Sequence, residues 1–425
     1  MKVTIKPAFL EGTIQSIVSK SHMHRLLICA ALSKSGTHIP CYASSKDILA
    51  TAGCLNALGA KIQTSCDGFY VSPITESETG KAILDCGESG STYRFLVPII
   101  CALNRPSQFK LSGQLPKRPM DELWRVLEDH RVRICGKGSE CVSITGHLTP
   151  GRYEIPGDIS SQFISGLLFA LPLLSQQSEI VISGTAKSLG YIRMTLDVLK
   201  TFSVNIIPTK SGFVIPGAQQ FVTPEDISPE GDWSNAAFWL CASAAGGKSI
   251  TVAGLNMDTS QGDSAIIDIL KRFGADVKIS GNSVTVNPGT MHGININAGD
   301  IPDLVPAIAV AAAAAEGTTV IENVNRLRFK ESNRLHAICE TLNRLGGESE
   351  FTDDTIVIHG HGNLSGGIAD SFGDHRIAMM GSVASVICKN DVIINGAQAV
   401  EKSYPAFFDD FISLGGMLKK EDENK

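Results

Sequence analysis

Lys20 and Arg25 lie in the run Ser19-Lys20-Ser21-His22-Met23-His24-Arg25, just ahead of an apolar stretch from Leu26 to Leu32. The apolar spacing predicts an amphipathic helix with Ser19 as its N-cap. Lys20 and Ser21 then fall in the first turn, and Ser21 and Arg25 share one face. Unpaired N–H groups make a helix start positive, so a cation placed there costs roughly 0.3–1 kcal/mol. Two cations in that place become favourable when a phosphate or carboxylate binds them.

Comparable residues gather elsewhere. Pro116-Lys117-Arg118-Pro119-Met120 sets two cations before a helix whose first turn includes Pro119. The densest basic stretch runs from Asn325 to Arg334 and holds Arg326, Lys330 and Arg334. Asp374-His375-Arg376 and Glu401-Lys402-Ser403-Tyr404-Pro405 follow it. Ser160-Ser161-Gln162 opens a helix with three neutral hydrogen-bonding groups, and the turn Gly87 to Arg94 lets a ligand approach the backbone at Gly90. That turn lacks the Gly-x-x-x-x-Gly-Lys-Ser/Thr pattern of a Walker loop. Charge-assisted hydrogen bonds are worth about 1.5–3 kcal/mol each, so four or five cations can hold two anionic substrates tightly.

Two carboxylates stand against this background. Asp303 follows Pro302 at an expected helix start, where its structural role alone is to complement the helix dipole. Glu331 lies three residues before Arg334, a spacing that by itself means an ion pair within a helix. Among cations both stay ionised at neutral pH, which suits a base better than an acid.

Composition narrows the alternatives. The 425 residues suffice for two or three domains, and 43% hydrophobic with 19% charged residues is an ordinary globular balance. A net charge of -6 argues against nucleic acid as a partner. The N-terminus carries no apolar leader, and the apolar run Val305 to Ala315 is too short to span a bilayer. The 11 cysteines are never spaced Cys-x-x-Cys and read as reduced core thiols in a cytoplasmic protein. The 10 histidines include no His-x-x-x-His pair, and no Gly-x-Ser-x-Gly elbow occurs, which leaves metal and serine-nucleophile chemistry poorly supported.

The elements that position these residues repeat. A Leu-x-x-apolar-small pattern begins at Leu55, Leu127, Leu199, Leu270, Leu342 and, with Phe in place of Leu, at Phe411, at steps of about 70 residues. A second set of helix starts recurs at Ser19, Ser89, Ser160, Asp232, Pro302 and Gly373. Each copy reads strand-helix-strand-helix-strand-strand; the period is too long for the common helical solenoids, and the helices exclude propeller blades. Chain crossings are expected near Ser19 and near Gly231-Asp232, dividing the chain into 1–18 with 231–425 and a second domain, 19–230. Equivalent points of a repeat can face one shared cleft, so an anion site in the cleft between the domains is expected.

At these residues the chain resembles the enolpyruvyl transferases along its full length, from Ser19-Lys20-Ser21 to Lys402-Ser403-Tyr404-Pro405, and in particular the branch that uses shikimate 3-phosphate. The resemblance implies an α/β (α+β) fold of two domains, each of three βαβαββ subdomains, of inside-out α/β barrel type. It implies transfer of the enolpyruvyl group of phosphoenolpyruvate to the 5-hydroxyl of shikimate 3-phosphate by addition and elimination, in aromatic amino-acid biosynthesis. It implies a monomer that closes on its substrates and needs no metal or organic cofactor. By resemblance, Lys20, Ser21, Arg25, Ser160, Ser161, Gln162, Ser188 and Tyr191 bind shikimate 3-phosphate. Lys20, Gly90, Arg118, Gln162, Arg334, Arg376 and Lys402 bind phosphoenolpyruvate. Asp303 takes the proton from the 5-hydroxyl, Lys330 contacts that hydroxyl, and Glu331 is a candidate donor to the methylene carbon. Arg326 stands where these enzymes often have an Asn that contacts shikimate; Glu88 replaces an Asn, and Phe95 a Pro or Leu, beside the phosphoenolpyruvate glycine. The alternative is UDP-N-acetylglucosamine enolpyruvyl transferase, whose reactive loop Cys has no counterpart in Pro116-Lys117-Arg118-Pro119.

Overall fold

The structure, a computed structural model, describes residues 1–74, 80–185, 187–246 and 248–421. The chain forms two compact units, Val18–Pro229 and Met1–Ile17 with Glu230–Lys425. In Val18–Pro229 the helices are α1 (Lys20–Leu32), α2 (Lys46–Ala57), α3 (Gly90–Ala102), α4 (Asp121–Asp129), α5 (Ser161–Ala170) and α6 (Leu189–Thr201). The other unit holds α7 (Trp233–Gly246), α8 (Ile266–Phe273), α9 (Val305–Ala314), α10 (Arg334–Arg344), α11 (His375–Ala384) and α12 (Phe407–Ser413).

The odd- and even-numbered helices differ for a physical reason. In α9 every residue from Val305 to Ala313 is buried, and α7 and α11, which pack against it, are buried almost throughout. An all-round apolar helix needs neighbours on every side, and here they are the other odd helices and the sheets. Even-numbered helices such as α8 and α10 instead pack on a sheet and are apolar on one face only. In α8, Ile266, Ile269, Leu270 and Phe273 point inward at helical spacing, while Lys271 and Arg272 remain outside. A fully buried Leu, Ile or Phe contributes roughly 1.5–3 kcal/mol, so such stripes dominate the stability.

Among the described residues the strands form six separate sheets. In one copy, Arg152–Pro156 runs parallel to Ser178–Ser183 with α5 as the crossover, and Arg152 lies opposite Glu179. After α6 the hairpin Ile207–Pro208 and Gly212–Ile215 pairs antiparallel back onto Ser178–Ser183. The same order recurs around Ser107–Leu111 and around Glu316–Glu322. The six copies are not identical, however. Among the described residues, the sheet that follows α1 has only three strands, Thr37–Pro40, Lys61–Thr64 and Gly68–Ser72, with no leading parallel strand. The N-terminal segment serves the other unit instead. Gly12–Gln15 runs parallel to Ile250–Ala253, and Lys2–Lys6 lies between Val392–Asn395 and Met417–Glu421.

This exchange explains the two crossings. Asp232 N donates to Ile17 O and to Ser16 Oγ, each at 2.9 Å, so the departing and returning strands are tied together. Gly231 is required there, because a Cβ would stand 2.2 Å from Gly254 O.

Several local expectations change. α9 begins at Val305, so Asp303 lies in the turn ahead of the helix and not in its first turn. α4 begins at Asp121, and Pro119 is outside it; Leu115–Lys117 is a short 3₁₀ turn. α10 begins at Arg334, so the Glu331–Arg334 pair is not within a helix. Of the cysteines, Cys66, Cys135 and Cys141 are exposed and not in the core. No helix among the described residues is long and apolar enough to cross a membrane.

Candidate active site

In the unit built around α7, α9 and α11, one guanidinium organises the charged residues. Arg334 opens α10 and is 1% exposed. Its Nε and Nη2 grip Asp374 at 2.7 and 3.2 Å, Nη1 donates to Asp303 Oδ1 at 2.8 Å, and Nη2 donates to Glu331 Oε2 at 2.6 Å. Lys330 Nζ meets the same Asp303 oxygen at 3.2 Å. Arg376 Nη1 donates to the Asp303 backbone carbonyl at 3.2 Å, and its Nη2 stands 3.5 Å from Oδ2. Asp374 caps α11 by accepting from Arg376 N at 3.0 Å, and it also accepts from Ser332 Oγ. Asp303, Lys330, Glu331, Arg334 and Arg376 are therefore one bonded cluster. Lys402 ends the 3₁₀ segment Ala397–Lys402 with its side chain largely buried.

Burial and charge oppose one another here. Burial pushes the Asp303 carboxyl up, but Arg376, Lys330 and Arg334 together outweigh it and hold the group well below the usual carboxylate range. Burial brings Lys330 down to about 8 despite the Asp303 carboxylate beside it. Arg334 is lowered by burial and raised more strongly by Asp374, Glu331 and Asp303, so it stays charged. An incoming anion that engages these cations withdraws positive charge from Asp303 and makes it a stronger base.

In the other unit, Ser19 caps α1 as expected, accepting from His22 N at 3.4 Å. Lys20 Nζ is paired with Asp47 Oδ2 at 2.8 Å. Arg25 is 2% exposed, and three of its donors reach protein atoms: Thr195 Oγ1 at 2.8 Å, Ser21 O at 2.6 Å and Tyr191 O at 2.9 Å. It thus joins the first turns of α1 and α6 and holds Ser21 and Tyr191 in place. Burial lowers the Arg25 guanidinium to about 10. Phe95 lies under it, 5.0 Å from ring centroid to guanidinium carbon, and meets Phe169 edge-on. Ser188 occupies the N-cap position of α6 with φ +56°, a left-handed conformation that strains a non-glycine residue. Such strain gathers where side chains must be aimed.

The starts of α3 and α5 are joined as well. Arg94 Nη1 donates to Gln162 Oε1 at 2.8 Å and Nη2 to Pro119 O at 3.1 Å, and Gln162 Nε2 donates to Ser91 Oγ at 2.9 Å. A Cβ on Gly90 would stand 2.8 Å from Arg118 Nη1, so the glycine makes room for that guanidinium. Ser160 caps α5 by accepting from Gln162 N, and Ser161 is its first residue. Glu88 turns its carboxylate onto Gly113, where a Cβ would meet it at 2.6 Å. Arg326 sits half-buried in the turn Asn325–Phe329.

Four residues that hold these side chains within their own units were not singled out in the sequence: Asp47, Arg94 and Thr195 in one, and Asp374 in its cap role in the other. Arg94 had a readable signal, being a lone cation four residues after Gly90 in an apolar helix.

A family profile described as EPSP synthase (3-phosphoshikimate 1-carboxyvinyltransferase) matches residues 5–411. The chain belongs to the EPSP synthase family. A 3-phosphoshikimate 1-carboxyvinyltransferase of Clostridium kluyveri is 40% identical over 418 residues, covering 98% of each chain. One from Clostridium acetobutylicum is 41% identical over 420 residues, covering 97% of each. Among solved structures, an EPSP synthase from Acinetobacter baumannii superposes with a TM-score of 0.82 at 25% identity, covering 99% of this chain and all of the other. The enolpyruvyl transferase NikO of Streptomyces tendae reaches 0.80 at 17% identity, covering 98% of each chain, a likeness of fold alone. EPSP synthase membership agrees with the repeated α/β subdomains of both units.

Proposed function

We propose that this chain transfers the enolpyruvyl group of phosphoenolpyruvate to the 5-hydroxyl of shikimate 3-phosphate and releases phosphate. Family membership gives the reaction, and the observation that carries the assignment of groups is Asp303 held ionised by Lys330, Arg334 and Arg376. Arg334, Arg376, Lys402, Arg118, Lys20, Gln162 and the Gly90 backbone take phosphoenolpyruvate. Ser21, Arg25, Ser160, Ser161, Gln162, Ser188 and Tyr191, with Lys20, take shikimate 3-phosphate.

Asp303 receives the hydroxyl proton as the oxygen bonds to C2 of the enol, and the methylene carbon takes a proton to become methyl. Lys330, loosened to about 8, is near enough to neutrality to give that proton, with Glu331 as the other candidate. The phosphate-bearing adduct then loses a proton from the methyl carbon and expels phosphate, restoring the double bond. Fixed cations stabilise the charge on the departing phosphate, and holding the hydroxyl beside C2 removes the entropy of encounter. The protein acts in the cytoplasm as a monomer, which light scattering of the purified chain checks.

The test is phosphate release from phosphoenolpyruvate with each of two acceptors. Release with shikimate 3-phosphate and none with UDP-N-acetylglucosamine is expected; the reverse assigns the chain to the second acceptor, a reading the family match does not favour.

A further inference from the structure

Behind the Asp303 cluster lies a carboxyl that the reaction above does not use. Asp263 sits in the 3₁₀ turn Gly262–Ala265 and is 3% exposed. Its Oδ2 accepts from the Ser234 hydroxyl of α7, while its Oδ1 is buried with no hydrogen-bond partner among the described residues. The preceding Gly262 packs on the loop that carries Asp303, its Cβ position 3.4 Å from Asp300 O. Among the described residues, the charged groups that act electrostatically on Asp263 come from three elements: Asp303 from the turn before α9, Arg376 from α11, and Asp232 ahead of α7. One cation against two carboxylates leaves the ionised form poorly compensated, and a buried carboxylate oxygen without a donor adds to that cost.

We propose that Asp263 is a positioning residue held as a neutral carboxylic acid while substrates bind, and that loss of its proton weakens the grip of Arg376 on the anionic substrate. Burial first, and Asp303 second, raise this carboxyl to about 7 against the pull of Arg376 and the Ser234 hydroxyl. Asp263 and Asp303 are thus two neighbouring carboxyls whose surroundings push them in opposite directions, a pattern that separates a proton-holding group from an ionised base. As pH rises through neutrality, Asp263 gains a negative charge within electrostatic reach of Arg376. Phosphoenolpyruvate should then bind less tightly, while Asp303 takes up a proton more readily. The inference rests on the reading of Arg376 as a phosphoenolpyruvate ligand.

The experiment uses the full chain, with KM for phosphoenolpyruvate measured at saturating shikimate 3-phosphate from about pH 6 to about pH 8.5, a window spanning the expected titration. In the ratio of Asp263→Asn to wild type, ionisation of the substrates cancels. The ratio is expected to fall by about ten-fold across the window, since a nearby buried charge acts at that scale and the variant never acquires it. A flat ratio overturns the proposal. An infrared pH titration of the wild type supplies a reading independent of turnover. A protonated-carboxyl band that disappears near neutrality is expected, with its midpoint moved upward in Ser234→Ala, and a carboxyl already ionised at pH 6 overturns the proposal even if the Asn variant does not fold. If the wild type releases no phosphate at all, the functional reading fails, while the infrared titration still reports on Asp263.

Discussion

Arg334 is bonded to Asp303 through Nη1 at 2.8 Å, which ties the candidate base to a guanidinium that is itself almost wholly buried. The same guanidinium spans Asp374 and Glu331, so three carboxylates share one planar fork. Only arginine has donors in that arrangement; a lysine ammonium is a point charge with three donors.

Arg334→Lys should therefore leave buried carboxylates without their partner and destabilise the protein by about 3–5 kcal/mol, the usual cost of breaking a buried ion pair. Denaturant unfolding of the two proteins measures it. An unchanged midpoint would show that Asp374 and Asp303 are compensated some other way.

Gly90→Ala separates binding from stability. At the first position of α3 the new methyl meets the Arg118 guanidinium at 2.8 Å, the far end of a flexible side chain. That end can swing away, so folding should be kept or improved by up to about 1 kcal/mol, as for Gly to Ala in a helix. The displaced guanidinium should raise KM for phosphoenolpyruvate. Steady-state kinetics beside thermal unfolding decides the matter, and an unmoved KM removes Arg118 and Gly90 from the phosphoenolpyruvate site.

Much of this was legible in the sequence, and the part that was not has a physical cause. Ser19, Ser89 and Ser160 are side-chain caps of α1, α3 and α5, as their spacing indicated, because capping depends on a local hydroxyl and the next few N–H groups. Asp303 was recognisable as unusual, yet its place ahead of α9 was not, since Pro306 rather than Pro302 occupies the first turn. The partners Asp47 for Lys20 and Thr195 for Arg25 lie 27 and 170 residues away, and no local pattern reports such pairings. The missing strand beside α1 was hidden for the same reason: which sheet a strand joins is decided by tertiary packing.

His24 yields a prediction of pH-dependent stability. It lies fully inside α1, with Nδ1 2.6 Å from Thr51 Oγ1, and burial first, aided by Lys20 and Arg25 against Asp47, lowers it to about 3. An unfolded histidine titrates near 6.5, so the unfolded chain binds the proton more readily. Stability from this group is present above about pH 6.5 and lost as pH falls toward 3, at about 1.4 kcal/mol per pH unit. Between pH 6.5 and pH 5 the wild type should lose about 2 kcal/mol more than His24→Asn, which does not titrate. Equal losses in chemical unfolding would mean that His24 is protonated in the folded state.

The decisive measurement is the rate of phosphate release from phosphoenolpyruvate and shikimate 3-phosphate by the wild type and by Asp303→Asn, with both shown to be folded. Asparagine fills the space but cannot take the hydroxyl proton, so turnover should drop by about 10²–10⁴-fold, the usual worth of a general base. Turnover equal to the wild type would contradict the role of Asp303, and with it the purpose assigned to the three cations around it.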